Sequence, residues 1–213
     1  MVNLTMLRLL IARHGNTFDS GDIIRRVGLR TNLPLSVSGL QQSEKLGNFL
    51  LASYPTIEKA YCSELIRTRK TAEIILSNYP NYNNILIEET SLLNEIDYGE
   101  DDGQIETMVL DRIGKKAMDD WENSNIVPKG WLFDSEQAIK DIKFFTNSLV
   151  KYDNKTILIV TSNGIARFFP HILNDSASFM ANNNLKMPTA SISEIVYTKA
   201  HGWNCNYWGK KIS

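Results

Sequence analysis

A chain of 213 residues is about the size of one globular domain and long enough to enclose a sizeable core. Its 43% hydrophobic and 22% charged content exclude a disordered, collagenous or coiled-coil chain, and 23 basic against 24 acidic residues leave a net charge of -1, with no overall field to hold a nucleic acid or an anionic membrane. Cys62 and Cys205 are the only two cysteines, far apart and without CxxC spacing, so neither a disulfide framework nor a thiolate metal site is expected, and a reducing cytoplasm fits best.

The opening segment Met1 to Ala12 is apolar at Leu7, Leu9, Leu10 and Ile11 but interrupted by Arg8 and halted by Arg13 and His14. It is too short for a signal peptide or a membrane span, and no later stretch approaches 18 uninterrupted apolar residues. A soluble, cytoplasmic chain without a membrane partner is expected. Leu7 to Ala12 reads as a buried strand opening into the loop Arg13-His14-Gly15-Asn16-Thr17. Asp19 to Ser36, with Arg25, Arg26 and Arg30 among glycines and Pro34, reads as an ordered basic loop. Ser38 is the expected cap of a helix running to about Ser53, with Leu40, Leu46, Phe49 and Leu50 inward.

A second strand is expected at Lys59 to Ser63, a helix over Leu65 to Leu76, and a third strand at Ile85-Leu86-Ile87. Leu92 to Asp102 is acidic and loop-like, and Met108 to Trp121 is helical. Asp134 with Gln137 three residues on opens an amphipathic helix carrying Ile139, Ile142, Phe145 and Leu149. Thr156 to Val160 is continuously apolar and β-branched, as in a strand covered on both faces. Two tail strands, Ile192 to Thr198 and Trp203 to Trp208, follow the surface turn Asn182-Asn183-Asn184. Strands alternating with helices, without repeat or linker, give a single α/β domain over residues 1–213, with ligand chemistry at strand ends.

Four segments carry chemistry. After a buried strand, His14 alone is as well explained as a structural imidazole. In context, Arg13 adds a planar fork suited to phosphate oxygens, His14 a neutral nitrogen able to attack phosphorus, and Gly15 room for backbone beside an anion. Ser63 to Ala72 lies on a strand-to-helix junction, where Arg67 is placed one turn in, while Arg69 and Lys70 suit a solvated face. Leu93-Asn94-Glu95 offers a carboxyl after an apolar pair for general acid work. Val160 to Arg167 is another strand giving way to a helix, and by itself a plain connecting loop.

Taken in order, these segments resemble the histidine phosphatase superfamily, the phosphoglycerate mutase-like family, over nearly the whole chain. Arg13-His14-Gly15-Asn16-Thr17 resembles its opening, Arg30 to Leu35 with Ser38 to Gln42 the following loop and helix, Ser63 to Ala72 its second motif, and Leu93-Asn94-Glu95 with Tyr98-Gly99 and Gly103 its acid-bearing loop. The resemblance implies a three-layer α/β sandwich with a mostly parallel central sheet; a lid-like segment around 100–134, with Trp121 and Trp131, is expected to select the substrate, and Lys115 and Lys116 either meet a second anion or, equally well, lie on an exposed helix face. The resemblance also implies phosphoryl transfer through a phosphohistidine on His14, with Glu95 as acid and then base. Arg13, Arg67, Asn16, Ser20, Ser162 and Asn163 would surround the phosphate, with no cofactor and no metal.

Ser162 stands where that family carries a second histidine, or Asn163 if the pairing slips by one, and Ser20 where it often has an asparagine. His171 and His201 match no motif. The short interval from Glu95 to Ser162 resembles the phosphatase branch, so a small phosphorylated metabolite is the expected substrate. Phosphoglycerate mutase is one alternative, and a catalytically impaired phospho-ligand-binding member the other.

Overall fold

The computed structural model describes residues 6–212. The opening segment Met1 to Thr5, part of the stretch read against a signal peptide, lies outside the described residues. Strands β1 (Met6–Arg13), β2 (Lys59–Cys62), β3 (Ile87–Glu89), β4 (Thr156–Thr161), β5 (Ile192–Thr198) and β6 (Gly202–Lys210) form one sheet in the order β3-β2-β4-β1-β5-β6. β3, β2, β4 and β1 run parallel, and β5 and β6 add an antiparallel edge.

Alternation along β1 divides the core in two. Leu7, Leu9 and Ile11 face Trp121, Ile142, Leu149 and Phe168, from helices α3 (Glu106–Ser124) and α4 (Ser135–Leu149) and the turn after α5 (Asn163–Ala166). Leu10 and Ala12 face Leu46, Leu50, Ala72 and Ile75 from α1 (Val37–Ser53) and α2 (Ile66–Ser77). Helices therefore cover both faces, which is the expected three-layer α/β arrangement. Every residue of β4 is buried, as its unbroken apolar run requires.

Four local expectations shift. Helix α1 is capped by Ser36, whose Oγ accepts from Gly39 N at 3.2 Å, while Ser38 lies inside the first turn. Asp19 enforces this by accepting from Ser36 Oγ, Val37 N and Ser38 N, contacts that also hold its carboxyl below the usual range. β3 begins at Ile87 rather than Ile85, because a 3₁₀ turn over Tyr82–Asn84 closes onto Ile85 N. Helix α3 is broken at Gly114, with φ 80° and ψ 154°, a conformation that only glycine adopts cheaply. Asp134 caps α4 by accepting from Gln137 N at 2.9 Å, but the Gln137 side chain donates to Asp141 instead of returning to the cap. No helix among the described residues is long and apolar enough to cross a membrane. The asparagine run ends a short helix, α6 (Ser176–Asn182), with all three residues exposed.

Candidate active site

His14 lies one residue beyond β1 at the carboxyl edge of the sheet. Its N–H donates to Thr161 O at 3.1 Å and its carbonyl accepts from Ala190 N at 3.1 Å, so main chain on both sides fixes the residue. The buried ring has Nδ1 2.7 Å from Gly15 O. A carbonyl can only accept, so Nδ1 carries the proton and Nε2 the lone pair. Nε2 accepts from Arg67 Nε at 3.3 Å. Burial, then the charges of Arg67 and Arg13, hold the imidazole pKa well below its ordinary value, which leaves the ring neutral and nucleophilic.

Arg67 enters from the first turn of α2 and is fully buried. Its Nη1 donates to Thr31 O at 3.1 Å and its Nη2 to Gly28 O at 3.2 Å, so backbone rather than carboxylate fixes the guanidinium. Arg13 donates from Nη1 to Met187 O at 2.7 Å, and its buried Nε has no hydrogen-bond partner. Burial lowers both guanidinium pKa values, while the deep reference value keeps them charged. The space at Gly15 serves something other than an anion: a Cβ there would come 2.3 Å from Gly39 O, so this glycine lets the loop lie on the first turn of α1.

Glu95 is buried beside the turn that follows β4. It accepts from Ile96 N at 3.0 Å and Gly164 N at 3.3 Å, and a Cβ at Gly164 would come 2.1 Å from its Oε1. Ser162 follows β4 as His14 follows β1, and the register Arg13↔Thr161 makes the two neighbours across the sheet edge. Its hydroxyl is fully buried, makes no cap to α5 and has no hydrogen-bond partner. Asn163 accepts at Oδ1 from Met187 N at 2.9 Å. Asn16 has both amide ends engaged, donating to Ser38 Oγ at 3.1 Å and accepting from Thr189 Oγ1 at 2.5 Å, so it ties α1 to the segment before β5. Ser20 lies in an exposed turn and is not among the residues lining the cavity.

A cavity of about 370 Å³, which is small-metabolite size, opens at His14, while Arg67 and Ser162 lie buried behind its lining. Arg13, His14, Asn16, Glu95 and Asn163 line it, as do several residues without a sequence assignment: Phe18, Ile24, Arg26, Tyr98, Glu106, Glu122 and Lys186. Only Arg26, inside the basic loop, and Tyr98, beside the acid motif, carried any local signal. Glu106 and Glu122 come from opposite sides of the α3 break. Burial raises the Tyr98 phenol pKa.

The two tryptophans do not face the cavity. Trp121 and Trp131 are buried, packed edge to face at 5.3 Å, and support the cavity from within the core. The cavity wall comes from Thr17, Phe18 and Ile24 to Val27 together with Glu106 and Glu122 of the expected lid-like segment. Lys115 and Lys116 are exposed and pair along the helix with Asp119 and Asp120, away from the cavity. Arg167 is fully buried, donates to Trp121 O at 2.7 Å, stacks 4.3 Å over that ring and lies 3.7 Å from Glu122. His171 stacks on Phe168, and His201 is exposed. Among the described residues, no group of three or more His, Cys, Asp or Glu is arranged to hold a metal ion.

Comparison with known proteins identifies the family and the fold. The model of the histidine phosphatase superfamily (branch 1) matches residues 9–211. Among solved structures, phosphoglycerate mutase from Bacillus anthracis superposes with a TM-score of 0.79 at 21% identity, over 98% of this chain and 95% of its own. The mycobacterial glucosyl-3-phosphoglycerate phosphatase gives 0.75 at 17% identity, over 96% and 99%. A putative alpha-ribazole-5'-P phosphatase from Escherichia coli gives 0.72 at 18% identity, over 96% and 97%. No curated protein matches the chain.

Proposed function

Because the chain belongs to the histidine phosphatase superfamily, branch 1, we propose that it is a phosphomonoester hydrolase that acts on a small phosphorylated metabolite through a phosphohistidine on His14. The observation that carries this reading is the His14 tautomer: a cavity-lining ring whose proton is committed to Gly15 O, whose Nε2 lone pair is held only by Arg67 Nε at 3.3 Å, and whose neighbours are two guanidinium groups without carboxylate partners.

In the first step Nε2 attacks phosphorus as the ester oxygen departs. A protonated Glu95 gives that oxygen its proton, so the alcohol leaves neutral. The phosphorylated ring is a cation, and Gly15 O remains positioned to accept from its Nδ1–H. Arg67, released from Nε2, and Arg13 hold the phosphoryl oxygens and offset their charge. In the second step Glu95 takes a proton from water as the water oxygen attacks phosphorus. The N–P bond breaks, and inorganic phosphate and neutral His14 result. Ser162, with its unmatched hydroxyl beside His14, donates to a phosphoryl oxygen without adding charge.

The test is phosphate release from an aryl phosphate and a set of sugar phosphates by wild type and His14→Ala, together with trapping of acid-labile, base-stable label on the protein. Release and label that both vanish with His14 support the reading. Release that survives the substitution refutes it. The fold shared with the Bacillus anthracis mutase makes phosphoryl transfer between hydroxyls the second reading. Conversion of 3-phosphoglycerate to its 2-isomer, rather than to free phosphate, would identify it.

A further inference from the structure

Arg26 is held in the cavity wall in a way that the phosphoryl chemistry on His14 does not require. Its guanidinium carbon lies 5.1 Å from the Tyr98 ring centroid and 5.3 Å from that of Trp131, and the side chain is only 11% exposed. One terminal nitrogen, Nη2, pairs with Glu106 and lies 3.6 Å from Met118 Sδ. The buried Nε has no hydrogen-bond partner, and Nη1 makes no hydrogen bond to the protein. Donors are rarely left unmet inside a protein, and the side chain that carries the unengaged Nη1 lines the cavity.

The charges around the cavity point the same way. Arg13 and Arg67 have no carboxylate partner and suit one phosphoryl dianion. Glu106 offsets Arg26, but Lys186, at 3.2 Å, and the buried Arg167, at 3.7 Å, share the single carboxylate of Glu122. Arg25 lines the same cavity and bonds only Gly103 O, so cationic charge outweighs carboxylate charge around the cavity after a phosphate has been matched. A planar guanidinium clamped by two aromatic rings is pre-organised for a carboxylate or phosphate.

We propose that Arg26, with Lys186 from the same cavity lining, forms a second anion subsite, so that the substrate is a phosphate ester bearing a further acidic group. This inference rests on the phosphatase reading and narrows its substrate class. Two matched ligand pairs test it: 3-phosphoglycerate against glycerol 3-phosphate, which differ by a carboxylate, and fructose 1,6-bisphosphate against fructose 6-phosphate, which differ by a phosphate. The quantity read is the ratio of kcat/KM within each pair.

Wild type is expected to favour the more acidic member of at least one pair by tenfold or more, and the pair that shows it names the second group. Arg26→Gln should lower that ratio at least tenfold, and Arg26→Lys, which keeps charge but loses the fork, should fall between. A wild-type ratio near one in both pairs, or a ratio that Arg26→Gln leaves unmoved, overturns the subsite while the hydrolase stands. If no ester releases phosphate, the hydrolase reading fails instead. Calorimetric Kd values of the same four ligands on wild type then decide the subsite: tenfold weaker binding of a less acidic member supports it, and equal binding within both pairs overturns it.

Discussion

Replacing Ser162 with alanine should raise stability and lower activity together. The hydroxyl is fully buried and has no hydrogen-bond partner, so folding strips it of water without return. Such a group costs about 1 to 3 kcal/mol. Removing one oxygen leaves a void worth well under about 1 kcal/mol at roughly 24 cal/mol per Å³. The net expectation is a gain of about 1 to 2 kcal/mol, and a domain of this size gains roughly 2 to 4 °C in Tm per kcal/mol. Under the proposed mechanism the same hydroxyl donates to a developing oxyanion, and loss of one such donor is expected to lower kcat by about 100- to 1,000-fold. Scanning calorimetry of Ser162→Ala without ligand, alongside phosphate release, measures both. A lower Tm with unchanged kcat would falsify the reasoning, because it would mean that the hydroxyl is satisfied in the resting protein and idle in the reaction.

Three further outcomes are expected. His14 has a folded pKa well below that of the unfolded chain, so as pH falls below about 6.5 the unfolded state takes up a proton that the native state refuses, and stability declines. Between pH 7 and 5.5 this amounts to about 1 kcal/mol; urea midpoints at the two pH values should differ less in His14→Ala than in wild type, and an equal difference counts against a neutral, buried ring. Gly15→Ala places a Cβ 2.3 Å from Gly39 O, backbone against backbone, and should cost about 1 to 3 kcal/mol while displacing the carbonyl that fixes the His14 tautomer. A variant with wild-type Tm and kcat would contradict it. Arg67→Lys keeps one charge but loses the donors to Thr31 O and Gly28 O, so phosphate release should fall at least 100-fold with a clear loss in Tm, and near-normal kinetics would show that a point charge suffices.

Legibility of the site in the sequence followed distance along the chain. His14 follows a strand and Arg67 opens a helix that hydrophobic patterning locates, whereas Glu95 was marked only by the apolar pair before it and its family resemblance. Asn16 could be read as near the site, but its engagement with Ser38 and Thr189 depends on how α1 meets the segment before β5. Lys186 and Glu122 meet only because the turn after α6 passes the end of α3, and no local pattern encodes that crossing. The two tryptophans were misread for a physical reason: large aromatics in a segment broken by Pro128 and Gly130 look like a mobile cover, whereas Trp131 Nε1 donates to the buried carboxylate of Asp101 and Trp121 packs against Phe168. Ser20 was placed by analogy alone, and the loop carries it outward.

The interruption of α3 at Gly114 also bears on how such a cavity can diversify. Glu106 and Glu122 belong to arms with separate footings, the first tied to Ile24 and Arg26 of the wall loop through Glu106 N and Gln104 O, and the second resting on Arg167. Insertions or drift in one arm can redraw half of the rim while the other half, and the strand ends that perform the chemistry, keep their places.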